Sequence, residues 1–455
     1  MKTNSDEVHK QEMLLKKIRQ SSEVFDKLAN SYEVWVPEGG WLAGRRNRDK
    51  NDSKRKNLTD WSILSFLLEI DNCHYPMADS YLQYGIDGVI RIAAETLETL
   101  KNNLQSELQD QTQLDIAYLE SLLHVWKRFR QFVADHMVLA LECAKQETSD
   151  TKKKRYEKIA KICQNLTINK PNTFCEALQL FWFTYLFRSP FGAGCIGRLD
   201  QLLYPFYKHD CEMGIWDQQE AEKMLEEMFA RMNEINTGDT LRNLMLSGQD
   251  AKGNDQTNEI TYLILVAYEN TGGSEPHLNV RFHEKTPKKL RDNCINMLSS
   301  GSGQPTIYFD EAVLPAMEKA GICHEDACQY ANDGCTETVI AGKSAIVFWQ
   351  YEMVKTVELT LFGGNENPCV KPVSMKKNSI HGADFVPKTN LLIGIESKKP
   401  QELTTFSEFL SAFFEQMDHQ LDHYFLMIKQ KMEEDQTVSV TSPFTAGTFE
   451  KCLRT

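Results

Sequence analysis

The sequence predicts an α/β protein in which a core of short strands is enclosed by long helices. Two observations carry this. Apolar residues recur at three- and four-residue spacing through several long stretches. Between those stretches lie brief extended runs bounded by glycine and proline, the pattern of strands set among outer helices. At 455 residues the chain is long enough to bury a large core and two or three sub-domains.

The helices come first. Amphipathic periods run over Ile86 to Leu108 and over Leu114 to Lys145. Thr173 to Phe187 is so apolar that burial on most sides is expected. Trp216 to Ile235 opens on Asp217, a natural N-cap, with acidic residues in the first turns. Leu403 to Glu434 is helical, as one helix or two. Strands are expected over His277 to Phe282, which alternates after Pro276, and over Pro305 to Phe309 after a glycine-rich turn. Gly44 to Asn57, dense in Arg and Lys, reads as a solvated loop. Gly363 to Asp384, rich in Gly, Asn, Pro, Lys and Ser, reads as an irregular excursion.

Hydrophobic residues make up 41% and charged residues 25%, ordinary for a globular chain. A formal net charge of -13 disfavours nucleic acid as a partner, because phosphate binding needs a cationic surface. Met1 to Gln20 is charged and lacks the apolar stretch of a signal peptide, and no apolar run has membrane-spanning length. A cytoplasmic location is the expectation. The 12 cysteines include no C-x-x-C pair and no zinc or iron–sulfur spacing, so free thiols in a reducing compartment are expected.

The segment Asn332-Asp333-Gly334-Cys335-Thr336-Glu337 is the most informative in the chain. Gly334 frees the backbone for a tight turn. If the chain beyond is extended, Cys335 and Glu337 point to one side. A sulfur and a carboxylate then face one cavity, where the first can handle hydrogen or carbon chemistry and the second can move a proton. Upstream stand Gly303-Gln304-Pro305 and the acidic pair Asp310-Glu311. Further back lie Glu176-Ala177-Leu178-Gln179, Gly197-Arg198-Leu199-Asp200-Gln201, Gly248-Gln249-Asp250 with Asn258-Glu259, and Pro276-His277-Leu278-Asn279-Val280-Arg281.

In this order the segments resemble the glycyl radical enzymes of the pyruvate formate-lyase-like family over roughly residues 60 to 450. The resemblance implies a ten-stranded α/β barrel made of two five-stranded halves. This chain would supply the first half-barrel and the helical shell. It further implies that Cys335 becomes a thiyl radical and that Glu337 is the acid or base of a dehydratase or lyase. Gly334 stands where pyruvate formate-lyase has a second cysteine, which argues against the second reading, acyl transfer of the pyruvate formate-lyase (formate C-acetyltransferase) type. His74 occupies a position where family members often carry a pocket histidine. Tyr351, with Trp349 and Gln350, either lines the pocket or packs in helix core. The loop Gly192-Ala193-Gly194-Cys195-Ile196 offers almost no polar contact to a substrate.

No bound metal or organic cofactor is implied. The family's glycyl radical is installed by a separate radical S-adenosylmethionine activating enzyme, an expected partner beside a small-molecule substrate. The family's glycine loop is not recognisable in these 455 residues. An incomplete family domain over 1–455 is therefore expected, lacking the C-terminal glycine radical domain. A second polypeptide could carry that loop, and the complete enzyme is expected to be a homo-oligomer. A non-catalytic partner of a full-length homologue is the third reading.

Overall fold

The computed structural model describes residues 4–45, 80–102, 110–188, 194–234, 242–272, 274–334, 337–341, 343–344, 353–365, 394–398 and 400–435. They fall into two compact units, residues 1–346 with 440–455, and residues 347–439.

The first unit begins as a helical layer. α1 (Asn4–Ser31), α2 (Ser80–Asn102), α3 (Asp110–Gln146) and α4 (Asp150–Ile168) pack around α3. The expected Ile86–Leu108 helix thus starts earlier, at Ser80, and residues 103–108 lie outside the described set. It kinks at Gly85, whose φ is +69° and where a Cβ would meet the Lys170 backbone at 2.5 Å. Only glycine lets the chain just past the end of α4 approach the kink so closely. α5 (Phe174–Arg188) is buried on nearly every side, as its composition predicts. Phe187 stacks on Phe25 and meets Phe129 and Phe132 edge-on.

Two residues of the Glu-Ala-Leu-Gln motif on α5 have separate structural duties. Glu176 accepts from the Asn172 backbone N–H at 2.9 Å and from Asn165 at 2.8 Å, closing the start of its own helix. Gln179 both donates to and accepts from the Ala43 backbone, at 3.0 and 2.8 Å, and so clamps the extended segment 35–44 onto the helix.

That segment also ends on a buried histidine. His136 of α3 is fully enclosed, its Nδ1 2.8 Å from the Phe132 carbonyl, while its Nε2 accepts from the Trp35 N–H at 3.2 Å. Burial pulls its pKa down to about 4. The folded state therefore holds the ring neutral, while the unfolded chain protonates it near 6.5. Between these values the unfolded state binds more protons, so stability falls as pH drops through that window. The loss by pH 4 is about 3 kcal/mol. Urea denaturation between pH 7 and 4.5 should show this slope, and His136→Gln should flatten it. An unchanged slope in the variant would assign the acid sensitivity elsewhere.

The sheet follows. β1 (Gly194–Gly197) leads into α6 (Leu199–Glu212) and α7 (Gln218–Glu234). Asp217 accepts from the Glu220 N–H at 3.1 Å, the N-cap expected from sequence. β2 (Arg242–Ser247), α8 (Glu259–Thr271), β3 (His277–Phe282), α9 (Lys288–Ser299) and β4 (Thr306–Phe309) complete an all-parallel sheet in the order β1-β2-β3-β4. Parallel pairing requires a crossover, and helices supply each one. Asn258 caps α8 in a reciprocal box with Thr261.

Alternation along the strands gives the sheet two characters. Leu244, Leu246, Leu278 and Val280 project to one face and are fully buried. Asn243, Met245, Ser247, Asn279 and Arg281 project to the other, the face on which Met245 packs against Ala331 and Val339. The stretch Gly194-Cys195-Ile196, expected as loop, is strand β1. Short glycine-containing runs buried on both sides carry no alternation to reveal them.

α10 (Asp310–Lys319) and α11 (His324–Ala327) follow β4. The antiparallel pair β5 (Ala331–Asp333) and β6 (Glu337–Val339) follows in the first unit. The second unit pairs α12 (Met353–Leu361) with α13 (Phe406–Asp435), a single helix where one or two were expected. Thr356 and Gln420 are hydrogen-bonded between them at 3.1 Å. Among the described residues no helix is long and apolar enough to cross a membrane.

Candidate active site

In the hairpin, Ala331 faces Val339, Asn332 faces Thr338 and Asp333 faces Glu337. Opposed residues of an antiparallel pair send their side chains to one side. Ala331 and Val339 share an apolar cluster with Cys195, Met245, Cys328 and Tyr330, which seats the hairpin on the inner face of the sheet. Asp333 and Glu337, beside the turn, present two carboxylates on one side. Gly334 takes φ +46°, a conformation that favours glycine. A Cβ there would lie 2.9 Å from the Glu337 carboxylate, so that carboxylate folds back over the turn.

The approach to the hairpin is fixed by a buried ion pair. Arg281 Nε and Nη2 donate to the two oxygens of Asp310, both at 2.8 Å, and both side chains are 0% exposed. Two parallel bonds to one carboxylate are the strongest geometry an arginine has. The third nitrogen, Nη1, donates to the Cys328 carbonyl at 2.9 Å and to the Tyr330 carbonyl at 3.4 Å. Tyr330 returns its hydroxyl to Asp310 at 3.0 Å, and its ring lies 4.0 Å from the guanidinium carbon. Gln249 N–H adds a further donor to Asp310 at 3.1 Å. The charges are therefore fully satisfied, the condition under which a buried pair is tolerated.

A second buried guanidinium, Arg198, donates to Cys328 O at 3.3 Å, to Gln329 at 3.1 Å and to Ser247 O at 3.0 Å. Burial and the neighbouring Arg281 pull its pKa down to about 10, leaving it charged at neutral pH. Asp200 accepts from the Ser247 N–H at 2.8 Å and from Thr261 at 2.7 Å. The motif residues thus acquire physical reasons. Gly248 is required because a Cβ would strike the Arg281 guanidinium carbon at 2.5 Å. Asp250 closes its turn onto the N–H groups of Lys252 and Asn254, both at 2.8 Å. The acidic pair divides its work: Asp310 holds Arg281, and Glu311 accepts from the Glu284 N–H at 2.6 Å.

Of the residues singled out from sequence, Glu337 sits at the hairpin turn. Cys335, His74 and Tyr351 lie outside the described residues, and so does the expected sharing of a face by Cys335 and Glu337. Two side chains that meet the hairpin were not anticipated. Tyr308, on the inner face of β4, packs against the hairpin cluster. Burial pushes its phenol pKa up, and the Glu337 charge adds to that. Cys195 is fully buried and donates its thiol to the Asn332 carbonyl at 2.9 Å. The segment expected to offer almost no polar contact to a substrate thus spends this polar group on the hairpin backbone.

Known proteins share this architecture and sequence. The chain is 31% identical over 301 residues to trans-4-hydroxy-L-proline dehydratase of Clostridioides difficile, covering 62% of this chain and 36% of that protein. It is 28% identical over 333 residues to isethionate sulfite-lyase of Oleidesulfovibrio alaskensis, covering 68% of this chain and 37% of that protein. Among solved structures, the glycerol-bound B12-independent glycerol dehydratase of Clostridium butyricum superposes with a TM-score of 0.72 at 18% identity. That match covers 98% of this chain and 66% of the other. Hydroxyproline dehydratase of C. difficile with its substrate bound gives 0.71 at 21% identity, over 96% and 67%. The chain spans about a third of the length of the curated relatives it matches. A family model described as pyruvate formate lyase-like matches residues 72–453, and the chain belongs to that family.

Proposed function

We propose that this chain carries the cysteine half of a glycyl radical dehydratase or lyase, with Cys335 as the thiyl radical and Glu337 as the acid or base. The observation that carries the reading is the hairpin turn at Gly334, seated on the polar inner face of the sheet with the Glu337 carboxylate folded over it. The substrate is a small molecule bearing a hydroxyl next to the carbon that loses its substituent. The Cys335 sulfur radical takes a hydrogen atom from the hydroxyl-bearing carbon, giving a thiol and a carbon radical. Glu337 accepts the proton of that hydroxyl as the neighbouring C–X bond breaks and X leaves with its electron pair. The product radical then takes the hydrogen atom back from the thiol. Atoms balance as loss of HX, and no net oxidant is needed.

The relatives' names define the leaving groups to try: water from glycerol and sulfite from isethionate by this route, and water from trans-4-hydroxy-L-proline. In the last, the amine-bearing ring carbon beside the leaving hydroxyl takes the part of the hydroxyl-bearing carbon, and the ring nitrogen gives up the proton. His74 and Tyr351 are the proposed substrate contacts. The radical that feeds Cys335 comes from a glycine loop outside these 455 residues, in the same polypeptide or another. A radical S-adenosylmethionine activating enzyme installs it.

The test joins this chain to its glycine-bearing segment, activates it anaerobically and offers each candidate substrate, with pyruvate as the acyl-transfer control. Elimination from one of the hydroxylated substrates is the expected result. Acyl transfer from pyruvate would move the protein to the other branch of the family. A normal glycyl radical with no turnover on any substrate would favour a non-catalytic role.

A further inference from the structure

β5 is held to the sheet by side chains rather than by a backbone ladder. Alternate carbonyls along the approach to the turn each accept from an inner-face side chain. The carbonyls of Cys328 and Tyr330 accept from Arg281 of β3, that of Asn332 from Cys195 of β1, and that of Gly334 from Asn243 of β2. The last of these bonds is 2.9 Å long and ends on the peptide group that joins Gly334 to Cys335. Asn243 is itself oriented. Its Oδ1 accepts from Nδ2 of Asn279 on the adjacent strand at 2.9 Å, which leaves Nδ2 of Asn243 aimed at Gly334. The two amides are 3% and 2% exposed. A buried amide is costly unless it is hydrogen-bonded, so two of them side by side in the middle of a parallel sheet call for a reason beyond packing.

We infer that Asn243 and Asn279 form a positioning relay that fixes the peptide entering Cys335, and through it the direction in which the radical sulfur meets substrate. The inference rests on the proposed role of Cys335. Asn279 sets which end of the Asn243 amide faces the hairpin. Asn243 then sets the orientation of the carbonyl of Gly334, a residue that has no side chain of its own to hold it. Among the described residues, the hydrogen bonds of the two amides end on backbone carbonyls and on each other. The relay acts on the geometry of hydrogen-atom transfer and not on substrate affinity or on storage of the radical.

The experiment uses the complete enzyme, this chain with its glycine-bearing segment, activated to a glycyl radical level measured by electron paramagnetic resonance. Asn243→Leu removes the donor at similar volume. The expected kcat per radical falls on the order of 10²-fold, with KM held within about threefold and the radical level unchanged. Asn279→Leu leaves Asn243 in place but unoriented, and should cost a smaller fraction of kcat, on the order of 10-fold. Deuterium transfer from labelled substrate should fall in step with kcat in both. If Asn243→Leu does not fold, Asn279→Leu carries the same comparison.

Unchanged kcat per radical would overturn the relay. So would a loss of activity that tracks thermal stability and recovers on cooling, which is the mark of a packing role alone. A Cys335→Ala control that still turned over would remove the underlying reading of Cys335. Loss of turnover in that control, with full activity in both Asn variants, would overturn only the relay.

Discussion

Cys335→Ala abolishes turnover in the enzyme completed by its glycine-bearing segment, and it leaves the glycyl radical formable. The two halves of this expectation separate storage of the radical from its use. Alanine has no heavy atom that can exchange hydrogen with a substrate carbon, so no slower version of the reaction survives. On the proposed reading the radical is generated on a glycine outside these residues, and its formation does not pass through the cysteine. Electron paramagnetic resonance after anaerobic activation should give the same doublet in variant and parent. Product formation should fall below detection. The alternative thiols are poorly placed for the role. Cys328 is fully buried, and burial pushes its pKa up, while Cys323 is exposed at the start of α11. Activity in Cys335→Ala, lost again on replacing Cys328 or Cys323, would reassign the radical cysteine.

Sequence exposes some parts of this fold because periodicity survives wherever an element has a wet side and a dry side. α7 was legible down to its Asp217 cap, and β3 was legible over its whole length. β2 was not read as a strand, because its six residues are all buried and an apolar run flanked by arginine gives no alternation. β1 failed for the same reason, with glycines at both ends. At the site, the sequence singles out Gly334, Cys335 and Glu337 through their chemistry at close spacing together with the family resemblance of the segments around them, and the described residues place Gly334 and Glu337 in the hairpin. The sequence could not say why Gly248, Asp310 or Arg281 recur around them. Those three meet only when β2, β3, β4 and the hairpin approach are assembled. Asn243 and Asn279 lie 36 residues apart and became a pair through strand register alone. A polar residue in the middle of a predicted buried strand is the one signal that could have flagged Asn279 in advance.

Glu337→Gln carries the second large effect and tests the other half of the division of labour. Glutamine preserves the size of the side chain and its ability to lie over Gly334, but it cannot accept the substrate proton. Hydrogen abstraction by sulfur needs no proton transfer and should continue. Elimination should slow by about 10²–10⁴-fold, the usual contribution of a general acid or base. The separation can be read with a substrate deuterated at the abstracted position. Label should still exchange between substrate and the sulfur while product formation is nearly stopped. The partner carboxylate across the hairpin sharpens the reading. Asp333 is fully buried and opposite Glu337 in register, so a proton acceptor remains on that side of the turn when Glu337 is replaced. Residual elimination in Glu337→Gln that disappears in the Glu337→Gln, Asp333→Asn double variant would place it on Asp333. Full activity in Glu337→Gln would end the dehydratase assignment and leave Glu337 as a residue that shapes the turn.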